Sequence, residues 1–226
     1  MPIAIGQIEA IFRYPVKSMR GEALDAASLG WHGLDGDRRL AFRRVDESGT
    51  PLRREHGEGE ALPTHVRTPE GEEMPVFSEA LAAEVGRRYG APVQMMHLKH
   101  GIFDEASISV IASHTVREIG RLAGKIADIR RFRPNIVVRS AGTVPFEEDQ
   151  WVGGVLTFGE GEGAPAVTVT MRDVRCVMVN IDPDGGRPAP EMMKACVRAN
   201  QNNAGIYGTV TRIGRLAVGQ TIALHR

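Results

Sequence analysis

The chain has 226 residues, 42% apolar and 25% charged, and its 28 Lys and Arg balance 28 Asp and Glu. That length and composition fit one large or two small packed domains, and they argue against wholesale disorder and against a chain-wide electrostatic grip on nucleic acid. No run approaches the ~18 apolar residues of a membrane span, and the N-terminus lacks the basic start, apolar stretch and small-residue cleavage site of a signal peptide. No membrane contact and a cytoplasmic location are therefore expected. Cys176 and Cys196 are the two cysteines. They cannot make a disulfide framework, and without C-x-x-C spacing they exclude zinc-ribbon, thioredoxin and ferredoxin readings.

In chain order, Ile8, Ala10 and Phe12 alternate with Gln7, Glu9 and Arg13, as on a half-buried strand. Leu40 and Phe42 repeat the pattern before the turn Asp46-Glu47-Ser48-Gly49. The stretch from Glu55 to Pro75, rich in Gly, Glu, Pro and Thr, predicts a linker or long surface loop. A first helix begins near Ser78, carries Leu81, Val85 and Tyr89 at four-residue spacing, and stops at Gly90. A second takes Ser113 as N-cap, places Val116, Ile119 and Leu122 on one face, and ends at Gly124. Further strands are predicted from Ile136 to Val138, Val155 to Phe158, Val167 to Met171, Val177 to Ile181, Tyr207 to Ile213 and Thr221 to Leu224. Between Phe158 and Ala166 the run Gly159-Glu160-Gly161-Glu162-Gly163 reads as a hairpin loop. As a phosphate loop it lacks a following helix and the Lys-Ser/Thr pair, and its glutamates would repel phosphate. A third helix follows Pro188 and Pro190, with Met192, Met193, Cys196 and Val197 on one stripe. Closely spaced strands with Gly-rich links predict a barrel or sandwich rather than a βαβ array.

Three segments carry candidate chemistry. In Tyr14-Pro15-Val16-Lys17-Ser18, Pro15 ends a strand, and Lys17 and Ser18 emerge where an ammonium and a hydroxyl could hold an anion; a solvated turn is the commoner reading of such a pair. In Arg130-Arg131-Phe132-Arg133-Pro134-Asn135, Arg133 and Asn135 are two apart at the start of a strand, so both project to one face. A guanidinium fork beside an amide suits a phosphate or a heterocycle edge, although three arginines in four positions usually form a solvated face. The third segment runs from Asp173 to Asp184. Its Cys176 lies at a predicted strand start beside Arg175, which would favour a thiolate. A nucleophile, a soft metal ligand and an inert buried thiol all remain open for Cys176, and a lone cysteine is most often the last. The seven histidines show no metal spacing, and no G-x-S-x-G, H-E-x-x-H or Walker sequence is present.

In order along the chain stand Tyr-Pro-Val-Lys-Ser, Asp37-Arg38, Arg-Phe-Arg-Pro-Asn-Ile-Val, Phe146-Glu147-Glu148-Asp149-Gln150-Trp151 and Arg-Cys followed by Asp182-Pro183-Asp184. This series resembles the MOSC family, named for the C-terminal domain of molybdenum-cofactor sulfurases, and within it the amidoxime-reducing group with its β-rich N-terminal extension. The resemblance covers the chain from Ile8 to about Leu224. It implies a mainly β (α+β) fold, an antiparallel β-barrel with peripheral helices, with an N-terminal region over 1–95 and the barrel domain over 96–226. It also implies a molybdenum–molybdopterin cofactor with Cys176 as the catalytic residue and the metal ligand. Lys17, Ser18, Arg38, Ser107, Arg133, Asn135 and Arg175 would be cofactor contacts. Ile108 and Val174 depart from the family pattern, where Pro and Ser stand, and Gln220 replaces an Asp in the closing turn.

The activity so implied is reduction of small N-hydroxylated compounds, the N–O bond taking two electrons and releasing water. Without an iron–sulfur or flavin signature, electrons would come from a separate reductase. The alternative is a carrier that holds molybdenum cofactor or persulfide for transfer; with no pyridoxal-phosphate lysine domain, the chain could not generate that sulfur itself.

Overall fold

The computed structural model describes residues 2–45 and 62–226. The turn at Asp46 to Gly49, His56 and the first part of the Glu55 to Pro75 stretch lie outside the described residues. In chain order the strands are β1 (Ile3–Arg13), β2 (Glu22–Leu24), β3 (Ala26–Gly30), β4 (Gly33–Leu34), β5 (Leu40–Arg44), β6 (His65–Arg67), β7 (Glu73–Pro75) and β8 (Val93–His97). They continue with β9 (Ile108–Ala112), β10 (Ile136–Ser140), β11 (Val155–Phe158), β12 (Ala166–Val174), β13 (Asn203–Arg212), β14 (Gly214–Ala217) and β15 (Thr221–His225). The helices are α1 (Glu79–Tyr89), α2 (Ser113–Leu122) and α3 (Pro190–Asn200). The described residues group into two compact units. One draws on Met1–Arg13, Arg20–Asp35 and Asp104–Arg226, the other on Tyr14–Met19 and Gly36–Phe103.

The first unit is a closed barrel. Its strands run β10-β9-β13-β12-β11-β15-β1, and β1 pairs back onto β10. Neighbours are antiparallel except β9 and β10, which run parallel with α2 in the chain between them. A parallel pair needs a crossover of this kind, so the barrel is mostly antiparallel, as expected, with this one parallel pair. Ile8, Val110, Ile136, Leu156, Val167, Ile206 and Ile222 meet inside it. On β1 the core residues are Ile5, Ile8 and Ile11, three apart rather than two. The register slips between Ala4 and Gly6 against β15 and between Ile8 and Ala10 against β10. Each extra residue turns the following side chains to the other face, which converts a period of two into steps of three. Gly6 serves the tightest point: its φ is 150°, and a Cβ there would lie 2.2 Å from the Arg139 carbonyl oxygen.

The second unit pairs β5 with β8 and packs α1 over Val16, Leu40, Val76 and Met95. The Ser78 hydroxyl accepts the Leu81 N–H at 3.1 Å, and Gly90 closes α1 at φ 82°, both as the sequence predicts. The β6–β7 hairpin occupies part of the predicted linker. Its strands are three residues long and largely exposed, so they leave no apolar alternation to read.

Three further expectations are corrected. Val177–Asn180 is a 3-10 turn, not a strand: Val177 is exposed and Asn180 turns into the protein to serve α3. On α3, Ala195 joins Met192 and Cys196 inside while Val197 is exposed. Neither α2 nor α3 carries its own N-terminal side-chain cap, and Ser113 is the first helical residue rather than the cap. Both helices borrow one. The Asn180 amide oxygen accepts the Met193 N–H at 2.9 Å. The Glu148 carboxyl accepts the Ala112 N–H at 3.3 Å and the Thr115 hydroxyl at 2.8 Å, and Thr115 Oγ1 in turn accepts the Phe146 N–H. Such caps satisfy donors that a helix start otherwise leaves open. Among the described residues no helix is long and apolar enough to cross a membrane.

Glu148 is fully buried, and burial pushes its carboxyl up from 4.5 to about 7. A raised folded-state value means that the protonated form is the better guest. The contribution is therefore full below about pH 4.5 and lost as pH rises through 7, on the order of 3 kcal/mol. Glu148→Gln keeps the shape and removes the charge. Thermal unfolding between pH 4.5 and 7.5 is expected to show the variant gaining on wild type as pH rises; a constant difference would contradict this.

Candidate functional site

The turn that holds Arg133 is built by its neighbours. The Asp128 carboxylate caps the 3-10 turn Ile129–Phe132 by accepting the Arg130 N–H at 2.8 Å. The Arg130 guanidinium pairs with Asp128 and with Asp184 at 2.6 Å, holding the Asp184 carboxyl below its usual range. Arg131 donates to the Asn180 carbonyl at 3.0 Å and to Asp182 at 2.8 Å. Two of the three arginines thus tie their own turn to the segment that follows Cys176. Arg133 then ends the turn in the left-handed conformation, φ 50° and ψ 43°. Pro134 disfavours the right-handed region for it, and the left-handed one costs a residue with a Cβ about 1–2 kcal/mol. Arg133 is therefore not on the strand, and the expected same-face pairing with Asn135 does not apply.

Asn135 is buried and works on backbone. Its Oδ1 accepts the Ser109 N–H at 3.1 Å and its Nδ2 donates to the Phe12 carbonyl at 3.3 Å. Its own N–H and carbonyl bond Ser109 and Phe12 as well. The side chain thereby prolongs the pairing of β9, β10 and β1 one step past the last ladder bond. Ser107, half-buried, stands just before β9, with its carbonyl 2.7 Å from where a Cβ on Gly33 would lie.

Cys176 is a free, exposed thiol at the start of the 3-10 turn, while Cys196 is fully buried, and burial pushes its thiol up to about 11. The extended residues before Cys176 alternate: Val174 is 61% exposed, and Arg175 turns inward with a side chain only 10% exposed. The Arg175 guanidinium pairs with the buried Asp173 carboxylate, donates to the Phe132 carbonyl, and lies over the Phe132 ring at 5.5 Å. Asp173 also accepts the Ser109 hydroxyl at 3.1 Å. Asn202, left-handed at φ 70°, accepts the Arg175 N–H through its carbonyl and donates its Nδ2 to the Arg175 carbonyl, both at 2.8 Å. Asp173 and Asn202 were not singled out from the sequence. The signals available were an acid two residues before Arg175 and an Asn pair just past a helix end, where left-handed backbone is common.

In the second unit, Lys17, Ser18 and Arg38 stand on two segments that run side by side. Residues 14 to 17 run beside 38 to 40, with Arg38 N–H donating to Tyr14, Leu40 N–H to Pro15 and Lys17 N–H to Leu40 carbonyls at 2.7–3.0 Å. The fully buried Asp37 pairs with Arg38 at 2.5 Å and accepts the Tyr14 N–H at 2.7 Å, and Arg38 lies over the Tyr14 ring. Ser18 and Arg38 are left-handed at φ 66° and 51°. Ser18, Arg38 and Arg133 are thus three of six non-glycine residues with positive φ among the described residues, and such backbone concentrates where function constrains it.

The Asn202 clasp sets the peptide that leads into Cys176. Asn202→Asp keeps the shape and the left-handed tolerance but sets a carboxylate against the Arg175 carbonyl. A loss of about 1–3 kcal/mol in urea unfolding is expected, with a smaller loss for Asn202→Gly. Equal stability of Asn202→Asp and wild type would show that the clasp contributes nothing.

A family model described as "MOSC domain" matches residues 97–223. The mitochondrial amidoxime reducing component 2 of Bos taurus is 30% identical over 132 residues, covering 53% of this chain and 37% of that protein. The match thus spans little more than a third of the relative's length. The solved YuaD protein of Bacillus subtilis aligns over 100% of this chain and 98% of its own, with a TM-score of 0.57 and 17% identity, a likeness of fold alone. With Arg133, Arg175, Cys176 and the greater part of the barrel inside the matched segment, the chain belongs to the MOSC-domain family.

Proposed function

We propose that the protein binds molybdenum–molybdopterin and uses it to reduce small N-hydroxylated compounds to the amine or amidine and water, with electrons supplied by a separate reductase in the cytoplasm. The observation that carries the proposal is the exposed Cys176 thiol beside a pinned arginine, in a family associated with this cofactor. The relative's name, a component of an amidoxime-reducing system, agrees with the substrate class and with partner-supplied electrons.

The donor set fits the group. A thiolate is a soft ligand of the kind molybdenum accepts, and it is solvent-accessible here. Guanidinium and ammonium groups suit a phosphate, and the left-handed backbone at Arg133, Arg38 and Ser18 is the sort of conformation that a binding role sustains. In this reading Cys176 is the protein's ligand to the metal. Arg133, Lys17, Ser18 and Arg38 hold the anionic and polar edges, and Ser107, Asn135 and Arg175 complete the contacts. When bound, the cofactor supplies the two-electron redox chemistry. The chain supplies binding, orientation and charge. Cleavage of the N–O bond consumes two electrons and two protons, and the oxygen leaves as water.

Cys176→Ser changes one atom at an exposed position, so folding is expected to survive, reduction of an amidoxime by the loaded protein to fall by orders of magnitude, and bound pterin to fall less. Cys196→Ser is the control and is expected to lower the melting temperature alone. Equal activity of Cys176→Ser and wild type would remove Cys176 from the reaction, and retained cofactor with no turnover by wild type would favour a carrier.

A further inference from the structure

We infer that Asp173 is a positioning residue, and that Arg175 acts with it as a strut that holds Arg133 in its left-handed conformation. The functional consequence rests on the reading of Arg133 as a cofactor contact; the mechanical part does not.

The Arg175 side chain is 10% exposed and that of Asp173 is 2% exposed, so the cation is desolvated and its charge is answered locally. Arg175 consequently offers little net charge to a ligand. Both terminal nitrogens of its fork bond protein, one to Asp173 and to the Ala204 carbonyl at 3.4 Å, the other to the Phe132 carbonyl, while Nε is buried without a hydrogen-bond partner among the described residues. The Phe132 ring, 1% exposed, packs beneath the guanidinium, so neither partner is free to drift.

The Phe132 carbonyl belongs to the peptide plane immediately before Arg133. The Arg133 φ angle is the rotation of its Cα substituents relative to that plane. Fixing the direction of the carbonyl therefore fixes the reference from which 50° is set. On the far side of Arg133, Pro134 and Asn135 are both buried, and Asn135 is tied to β9 and β1. The strained residue is thus clamped at both neighbours, and the N-terminal clamp is a charge-assisted hydrogen bond of the strong class. Asp173 is the anchor of that clamp, because without it the guanidinium would be a buried charge with only carbonyls for partners. The Ser109 hydroxyl on the same Asp173 oxygen as Arg175 ties the anchor to the barrel wall.

Two double-mutant cycles test this. In the first, wild type, Asp173→Asn, Arg133→Gln and the double variant are purified from a host that makes the cofactor, and bound pterin per chain is measured by fluorescence after oxidation. Each single variant is expected to lose roughly tenfold in retained pterin, and the double variant no more than the worse single one, since both act through one group. Losses that multiply would overturn the inference. In the second, the melting temperature drop caused by Asp173→Asn is measured in the wild-type and Arg133→Gly backgrounds. Glycine tolerates the left-handed conformation, so the drop is expected to be smaller in the second background; equal drops would overturn the strut. If Arg133→Gln leaves pterin unchanged, the cofactor role of Arg133 fails while the stability cycle still judges the strut. If Asp173→Asn does not fold, Arg175→Lys takes its place, since lysine lacks the rigid fork whose two prongs are directed at Asp173 and the Phe132 carbonyl, and the expectations are the same.

Discussion

A guanidinium taken out of water has to be paired, and the pairing of Arg175 ties together the parts of the barrel unit that hold the candidate site residues Arg133 and Cys176. Asp173 answers the charge and two carbonyls take further donors. One of those carbonyls belongs to the turn that ends in Arg133. The Arg175 backbone is gripped separately by Asn202, which sets the peptide leading into Cys176. A thiol on one segment and a guanidinium on another are thereby placed by the backbone and the side chain of one residue, Arg175. The second unit repeats the device on a smaller scale, where the buried Asp37 pairs with Arg38 and holds the Tyr14 backbone. In both cases an arginine near a candidate site is backed by a carboxylate that solvent does not reach.

The same economy governs the helices. The start of α2 is served by Glu148 and that of α3 by Asn180, each from a 3-10 turn distant in sequence. The cap of α3 comes from the last residue of the turn that Cys176 begins, so docking the helix and positioning the thiol are one packing event. Ion pairs from Arg130 to Asp184 and from Arg131 to Asp182 join that region to the Arg133 turn. Most of these pairs are partly exposed and individually modest; as a set they limit how far the two turns can separate.

Much of this was legible along the chain. Short strand-like runs bounded by turn residues marked β10, β11, β13 and β15, and the ends of α1 were written in Ser78 and Gly90. Other features were hidden for definite reasons. The bulges in β1 are register slips that no local pattern announces, and they move Ile11, not Ala10, onto the core. All five residues of β9 are buried, so it has no polar face to alternate with. Val177 to Ile181 has strand composition but follows a residue whose backbone is pinned and ends in a cap for α3. Among the candidate site residues, sequence order and residue type drew attention to Arg133 and Cys176. They could not separate Arg130 and Arg131, spent on Asp184 and Asp182, from Arg133, because the separation depends on partners some fifty residues away. Asp173 and Asn202 escaped notice because their roles are to hold other residues.

The proposed function requires Cys176 to be the protein's ligand to molybdenum. X-ray absorption at the molybdenum edge, on wild type and Cys176→Ser purified with cofactor from the same host, reads this directly. The wild-type protein is predicted to show one more sulfur neighbour at the metal than the variant, with the dithiolene sulfurs of the pterin common to both. Identical sulfur shells in the two proteins would contradict the account.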